Sequence, residues 1–228
     1  MAKGKWSWII SMKAGRYDEA LDFLANNHFH VREGGGEIHD VYVDGHLLRG
    51  LQYFESKKFN EALKDFLAAS EYPENLSVGR PKNDRHAPQV AYYIGTAYEA
   101  LGDAQKAAEF YQKAADQKGT SGWPEIRFYQ GLSLRELGQK DAADKIFEDL
   151  ISNGRQKLSQ KAEIDFFAKF GEQQTEDARK ADAHYALGLG YLGKGFLDKA
   201  EAEFEEAVKL NVSHVWVKAW LAELKRKS

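Results

Sequence analysis

The chain has 228 residues, no cysteine, 32 Lys and Arg against 35 Asp and Glu, and a formal net charge of −3. These numbers exclude a disulfide framework, a thiolate metal site and a thiol nucleophile, and the lack of a basic surplus argues against nucleic-acid binding. No secretory h-region and no apolar run near the roughly 20 residues of a membrane span occur, so we expect a soluble protein with no membrane association, and the cytoplasm is favoured.

A repeated pattern begins in degenerate form near the N-terminus and then recurs four times. The degenerate copy is KAGRYDEALDFL, and Ala20 marks it. Each full copy has a Gly, a large residue three positions later, an Ala twelve positions after the Gly, and an aromatic residue four positions after that Ala. The four copies are HLLRGLQYFESKKFNEALKDF, AYYIGTAYEALGDAQKAAEFY, RFYQGLSLRELGQKDAADKIF and HYALGLGYLGKGFLDKAEAEF, with glycines at Gly50, Gly95, Gly131 and Gly188.

This spacing predicts pairs of antiparallel helices joined by short turns such as LGD and LGQ. In the first helix the Gly lets a neighbouring backbone approach, and we expect the large residue three positions later to cover the gap. In the second helix the Ala permits a close helix crossing, and the aromatic residue lies on the same face. Because a single pair cannot bury its apolar face, the pairs must stack.

The repeated residues resemble the tetratricopeptide repeat, whose pattern places small and large residues at these offsets. The resemblance implies an all-α fold, a right-handed superhelical solenoid of antiparallel helix pairs with a C-terminal capping helix. We expect one domain over residues 1–228. Its predicted parts are a degenerate repeat at 5–27, an insert at 28–42, repeats at 43–73, 88–119, 124–153 and 181–211, an extra helix at about 156–170, and a capping helix at 213–227.

Three stretches between the repeats or at their edges resemble a second family. HFHVREGG, IHDVYVDGHLL and YPENLSVGRP are similar to segments of a bacterial family of unknown function. Its members carry such repeats behind a large β-rich N-terminal domain, often in carbohydrate-related settings. The resemblance implies that this chain corresponds to the C-terminal repeat region, with a further domain preceding it in a longer protein. It implies no catalytic residue.

The long connections between repeats contain the polar residues that most resemble a ligand-binding or metal site. Residues 28–40, HFHVREGGGEIHD, contain three histidines and three glycines. Connections between stacked helix pairs emerge on one edge, so we predict that residues 28–46 and 71–87 lie side by side. One hypothesis is a ligand-binding patch there, with a carbohydrate as the candidate ligand. Its residues are His28, His30, Arg32, Glu33, His39, Asn75, Arg80, His86 and Trp123.

Two other interpretations of these connections stay open. A zinc site needs imidazole and carboxylate ligands, which are present, but their spacing matches no standard motif. We therefore expect no metal. The remaining interpretation is structural: the glycines permit tight turns, and the polar side chains cap the ends of adjacent helices.

The first helices of the repeats define another candidate surface. In tetratricopeptide repeats the first helix of each pair lines a concave groove. Projected onto this chain, that groove is acidic and aromatic, which suits a basic or apolar peptide, or a helix. Since it lacks a Lys, Arg and Asn cluster, we expect no binding of acidic C-terminal tails. The groove residues are Asp44, Gln89, Tyr92, Glu99, Phe128, Arg135 and Tyr185.

The sequence favours a non-catalytic protein-interaction or scaffold module. It contains no phosphate-binding Gly-x₄-Gly-Lys-Ser/Thr loop, no Gly-x-Ser-x-Gly elbow and no dinucleotide fingerprint. We therefore expect no enzymatic activity and no cofactor. The expected partner is a protein or peptide, whose identity the sequence leaves open.

Overall fold

The computed structural model describes residues 11–12, 14–29, 35–117, 123–160, 176–211 and 214–227. Over these residues it contains ten α-helices, one short 3₁₀ helix at Glu74–Leu76, and no β-strand. None of these helices is both long enough and apolar enough to cross a membrane. In chain order they are α1 (Tyr17–Ala25), α2 (Gly35–Glu55), α3 (Phe59–Ala68), α4 (Ala87–Ala100), α5 (Ala104–Ala115), α6 (Pro124–Glu136), α7 (Lys140–Ser159), α8 (Glu176–Gly193), α9 (Leu197–Leu210) and α10 (Val215–Lys227).

The chain divides into two compact units, Met1–Ser121 and Gly122–Ser228, which we name unit 1 and unit 2. In unit 1, α2 packs against α3 and α4 against α5, while α1 contacts α2 and α3 contacts α4. In unit 2, α6 packs against α7 and α8 against α9, while α7 contacts α8 and α10 contacts α9. Each unit is therefore a stack of helix pairs, and the predicted all-α fold of such pairs is confirmed.

The turn inside each pair passes through the left-handed region of backbone conformation. Gly102, Gly138 and Gly195 have φ values of +83°, +79° and +77°. This conformation costs a residue with a Cβ about 1–2 kcal/mol, so glycine favours the tight reversal. In the pair formed by α2 and α3, Lys57 takes the same conformation, with φ 58°.

One contact recurs in every pair: an aromatic ring of the second helix lies against the Gly of the first. A Cβ added to Gly95 would lie 2.7 Å from ring atoms of Tyr111, closer than the 3.0 Å limit for real Cβ atoms. The residue that fills the gap is thus sixteen positions after the Gly, on the partner helix, rather than the residue three positions later that we expected. The same contact joins Gly50 to Phe66, Gly131 to Phe147 and Gly188 to Phe204.

The helix α2 begins earlier than the repeat pattern predicts. It starts at Gly35, so the predicted insert at 28–42 is wrong from that residue onward. The physical reason is burial, because Ile38 lies in an apolar cluster that joins α2 to α1 and to the 3₁₀ helix. The other buried members of that cluster are Leu21, Leu24 and Leu76.

In unit 2, α7 continues six residues past the predicted end of its repeat, to Ser159. A Cβ on Gly154 would lie 2.7 Å from Leu187 of α8, so this extension packs closely on the next pair. Residues 156–159 of the predicted extra helix therefore belong to α7, and residues 161–175 lie outside the described residues. The helix α10 stands where the capping helix was predicted.

Replacing Gly95 by Ala should destabilise the protein by about 1–2 kcal/mol net. The new methyl group overlaps the ring of Tyr111, and overpacking outweighs the gain in helix propensity. Urea unfolding followed by circular dichroism measures the change. The matched control is Gly79→Ala, because a Cβ there meets nothing within 4 Å. Equal losses of stability for the two variants would contradict the role assigned to the Gly–aromatic contact.

Candidate functional site

The connections that follow α1 and α3 do lie side by side in unit 1, as predicted. The backbone N–H of Phe29 donates to the carbonyl oxygen of Asn75 at 2.9 Å. In return, the Asn75 side-chain amide donates to the carbonyl oxygens of Leu24 and Asn27, both at 2.8 Å. Since those two carbonyls belong to the end of α1 and the residues just after it, Asn75 acts as a cap that joins the two connections.

A three-membered stack of side chains forms beside the end of α3. The Tyr72 ring stacks on His39, with ring centroids 3.9 Å apart, and the Arg80 guanidinium lies 4.6 Å from the Tyr72 centroid. His39 donates from Nε2 to the carbonyl of Glu71 at 3.0 Å, and Arg80 donates to that of Ser70 at 2.7 Å. Burial lowers the pKa of His39 and so favours the neutral imidazole. The stack thus satisfies backbone groups that follow α3.

A second polar cluster joins α2 to the start of α4. Asp40 is paired with Arg85, and its Oδ1 lies 2.8 Å from Nε2 of His86. Burial by itself raises the pKa of Asp40, but hydrogen bonds with His86 and Arg85 outweigh it, so the net shift is downward. Asp84 accepts from the His86 backbone N–H and from the Tyr72 hydroxyl, each at 2.8 Å. The carboxylates therefore fix the loop that leads into α4.

These contacts do not support the ligand-binding patch. His39, Asn75, Arg80 and His86 come together in unit 1, but each is engaged by backbone or side-chain groups of the same unit. His28 is exposed, and His30, Arg32 and Glu33 lie outside the described residues. Trp123 belongs to unit 2, immediately before α6. In the described part of the chain, no group of three or more His, Asp or Glu side chains is placed to hold a metal ion.

The predicted groove residues of unit 1 differ in exposure. Gln89 is buried, contrary to the prediction, so it offers no surface to a peptide. Asp44 and Tyr92 are half-buried, and the Tyr92 ring contacts Tyr111 with centroids 5.8 Å apart. Glu99 is exposed and accepts a hydrogen bond from the Tyr111 hydroxyl at 2.7 Å. Part of the predicted acidic and aromatic surface is therefore accessible on α2 and α4.

Two of the three predicted groove residues of unit 2 are covered. We expected Phe128 and Tyr185 to face an open groove, but they are only 1% and 2% exposed. The ring of Phe128 meets Trp220 of α10 edge-on at 5.7 Å, and that of Tyr185 lies 4.3 Å from His214. Burial beneath α10 and the residue before it is the physical reason for the difference.

Arg135, the remaining groove residue of unit 2, is held in place by its own unit. It donates a hydrogen bond to the Gly193 carbonyl at 2.6 Å. Its guanidinium also lies 4.9 Å from the centroid of the Phe147 ring. Arg135 therefore joins the end of α8 to the preceding pair.

Sequence reasoning missed a charged network that joins the first three helices. Arg49 donates from Nε and Nη2 to the two oxygens of Asp65, at 2.8 and 2.6 Å, and from Nη1 to Asp18 at 2.8 Å. His46 Nδ1 lies 2.9 Å from the same Asp65 carboxylate. Burial raises the pKa of Asp65, but hydrogen bonds from Arg49 and His46 outweigh it and lower the pKa overall. The buried carboxylate is thus charged and fully paired.

A related pair occurs in the fourth repeat. His184 Nδ1 lies 2.7 Å from Glu203. Both histidines, His46 and His184, stand four positions before the Gly of their repeat, and both acidic partners stand fifteen positions after it. The signal was therefore present in HLLRG and HYALG, although it marks helix-to-helix pairing rather than a catalytic group.

The comparison with family models agrees with this description. Family models described as tetratricopeptide repeat match residues 47–122, 125–153 and 181–214, together more than half of the chain. Among solved structures, MamA AMB-1 is 19% identical, with 92% of this chain and 99% of that chain covered and a TM-score of 0.34. The C-terminal part of a TPR repeat-containing protein from Cytophaga hutchinsonii is 16% identical, with coverages of 94% and 67% and a TM-score of 0.31.

The stability of unit 2 should fall as the pH is lowered from 6.5 towards 4. Burial lowers the pKa of His214 to about 4, although Asp182 opposes the shift, and Nδ1 of His214 accepts the backbone N–H of Val217 at 3.3 Å. In the unfolded chain the imidazole has a pKa of about 6.5, so as the pH falls the unfolded chain binds a proton before the folded protein does. The contribution of neutral His214 to the free energy of unfolding is therefore complete above pH 6.5, and about 3 kcal/mol of it is lost by pH 4.

Urea unfolding at several pH values tests this expectation. In His214→Asn the cap is retained without a titrating group, so the fall in stability between pH 6.5 and 4 should shrink. His28→Asn, at an exposed position, is the control and should keep the wild-type profile. An unchanged profile in His214→Asn would contradict the assignment.

Proposed function

The chain belongs to the tetratricopeptide repeat family, and we propose on that basis that it is a non-catalytic scaffold that binds a protein or peptide partner. Stacked helix pairs present extended surfaces to partners rather than enclosed reaction sites. The helix pairs, with the same Gly–aromatic contact in both units, are the observation that carries the proposal.

The use of the titratable side chains supports a non-catalytic function. His39, Asp40 and Asp65 are each bonded to groups that hold neighbouring helices together. A general acid or base must lie within hydrogen-bond distance of the substrate proton that it transfers. These groups are instead hydrogen-bonded to other parts of the fold. The same hydrogen bonds rigidify the surfaces on which a partner would bind.

In unit 1 we propose the face carried by α2 and α4 as a contact surface. Asp44, Tyr92 and Glu99 are at least partly accessible there. An acidic and aromatic surface favours a basic or apolar peptide, because carboxylates attract Lys and Arg and tyrosine rings bury apolar area at low entropic cost. The chemistry of the partner follows from that combination.

Site-specific photo-cross-linking tests this assignment. A benzoylphenylalanine placed at Glu99, on α4, should capture a partner in cells, and mass spectrometry identifies it. The matched control is the same probe at Gln112, which is also exposed but lies on α5, the second helix of the pair. We expect a several-fold higher yield from position 99. Capture in equal yield from both positions, or from neither, would count against the proposed surface.

With the captured partner in hand, calorimetry on the purified proteins gives the contribution of the tyrosine. Tyr92→Ala should weaken binding about tenfold, as for an aromatic side chain near the centre of an interface. An affinity unchanged by this variant would place the partner elsewhere on the chain.

A further inference from the structure

Two aromatic rings of unit 2 occupy equivalent positions on successive first helices. Phe128 of α6 and Tyr185 of α8 each stand three residues before the Gly of their repeat. Phe128 contacts Trp220 of α10, and Tyr185 contacts His214, the residue immediately before α10. The helix α10 therefore does more than contact α9, because it reaches back to the first helix of the preceding pair.

The side chains of α10 show what kind of segment fits this surface. Trp216, Val217 and Leu224 are buried, and the Trp216 and Trp220 rings stand one turn apart, with centroids 6.4 Å from each other. The other side is basic and exposed, and Lys225 lies 3.7 Å from Glu205 of α9. The surface thus accepts an amphipathic helix with two aromatic side chains and basic residues beside them.

One feature weakens the hold of α10 on the surface. The indole N–H of Trp220 is buried and finds no hydrogen-bond partner among the described residues, and an unsatisfied buried donor opposes burial of the ring. A helix whose aromatic side chains filled the same pockets without leaving a buried donor unpaired would bind there more favourably.

We propose that α10 is a built-in occupant of a binding surface formed by α6 and α8, and that the partner displaces it by presenting an amphipathic helix with two aromatic residues one turn apart and a basic exposed side. This rests on the proposed scaffold function and adds where, and by what chemistry, a partner binds. Because α10 competes, the apparent affinity of the partner is reduced by the fraction of molecules in which the surface is open.

A labelled peptide with the sequence of residues 214–227, HVWVKAWLAELKRK, is the probe, and fluorescence anisotropy gives its affinity for the full chain. In the Trp220→Ala protein the contact between α10 and Phe128 is lost, so we expect the peptide to bind at least tenfold more tightly than to the wild type. Trp123→Ala removes an exposed tryptophan of the same unit and should leave the affinity at the wild-type value. A peptide with both tryptophans replaced by alanine should not bind.

Hydrogen–deuterium exchange on the wild-type chain gives a second measurement that needs no variant. Saturating peptide should raise exchange in α10 and protect α6 and α8. Equal peptide affinity in wild type and Trp220→Ala, or exchange in α10 that peptide leaves unchanged, would overturn the proposal and make α10 a fixed cap. If cross-linking from Glu99 still captured a partner, the scaffold function would stand; if that also failed, both proposals would fall.

Discussion

The contact between a glycine on the first helix and an aromatic ring on the second sets the geometry on which the rest of the structure depends. With no Cβ on the glycine, the ring reaches the helix backbone, and the two helices lie close together. Phe147 makes this contact with two glycines: Gly131 within its own pair, and Gly193 on the first helix of the next pair. One ring thereby fixes both the pair and its stacking in unit 2. The surface that the first helices present follows from these spacings.

The polar side chains of the connections between helix pairs hold the ends of the helices in place. In unit 1, Asn75 closes the end of α1, and the stack of His39, Tyr72 and Arg80 satisfies the backbone that follows α3. Buried polar groups that are fully hydrogen-bonded rigidify a fold and specify one arrangement. The polar residues that most resemble a binding or catalytic site in the sequence therefore position helices. This agrees with a scaffold that functions through its surfaces.

The repeat was predictable because it depends on local spacing, which the sequence displays directly. The glycine-to-alanine distance identified the helix pairs, and the argument that connections share an edge placed Asn75 beside the end of α1. The early start of α2 and the covering of Phe128 by Trp220 were not predictable in this way. Both arise from packing between segments far apart in the chain, and tertiary contacts of that kind override local pattern. The predicted exposure was therefore wrong for Phe128 and Tyr185 in unit 2 and for Gln89 in unit 1.

A double-mutant cycle on the Gly188–Phe204 pair tests the central contact most directly. The cycle compares the free energies of unfolding of Gly188→Ala, Phe204→Leu and the double variant. Leucine withdraws the ring atoms that a Cβ at position 188 would overlap, so we expect the double variant to be less destabilised than the sum of the single variants by about 1 kcal/mol or more. Additivity within about 0.5 kcal/mol would mean that the two residues do not set the helix spacing together.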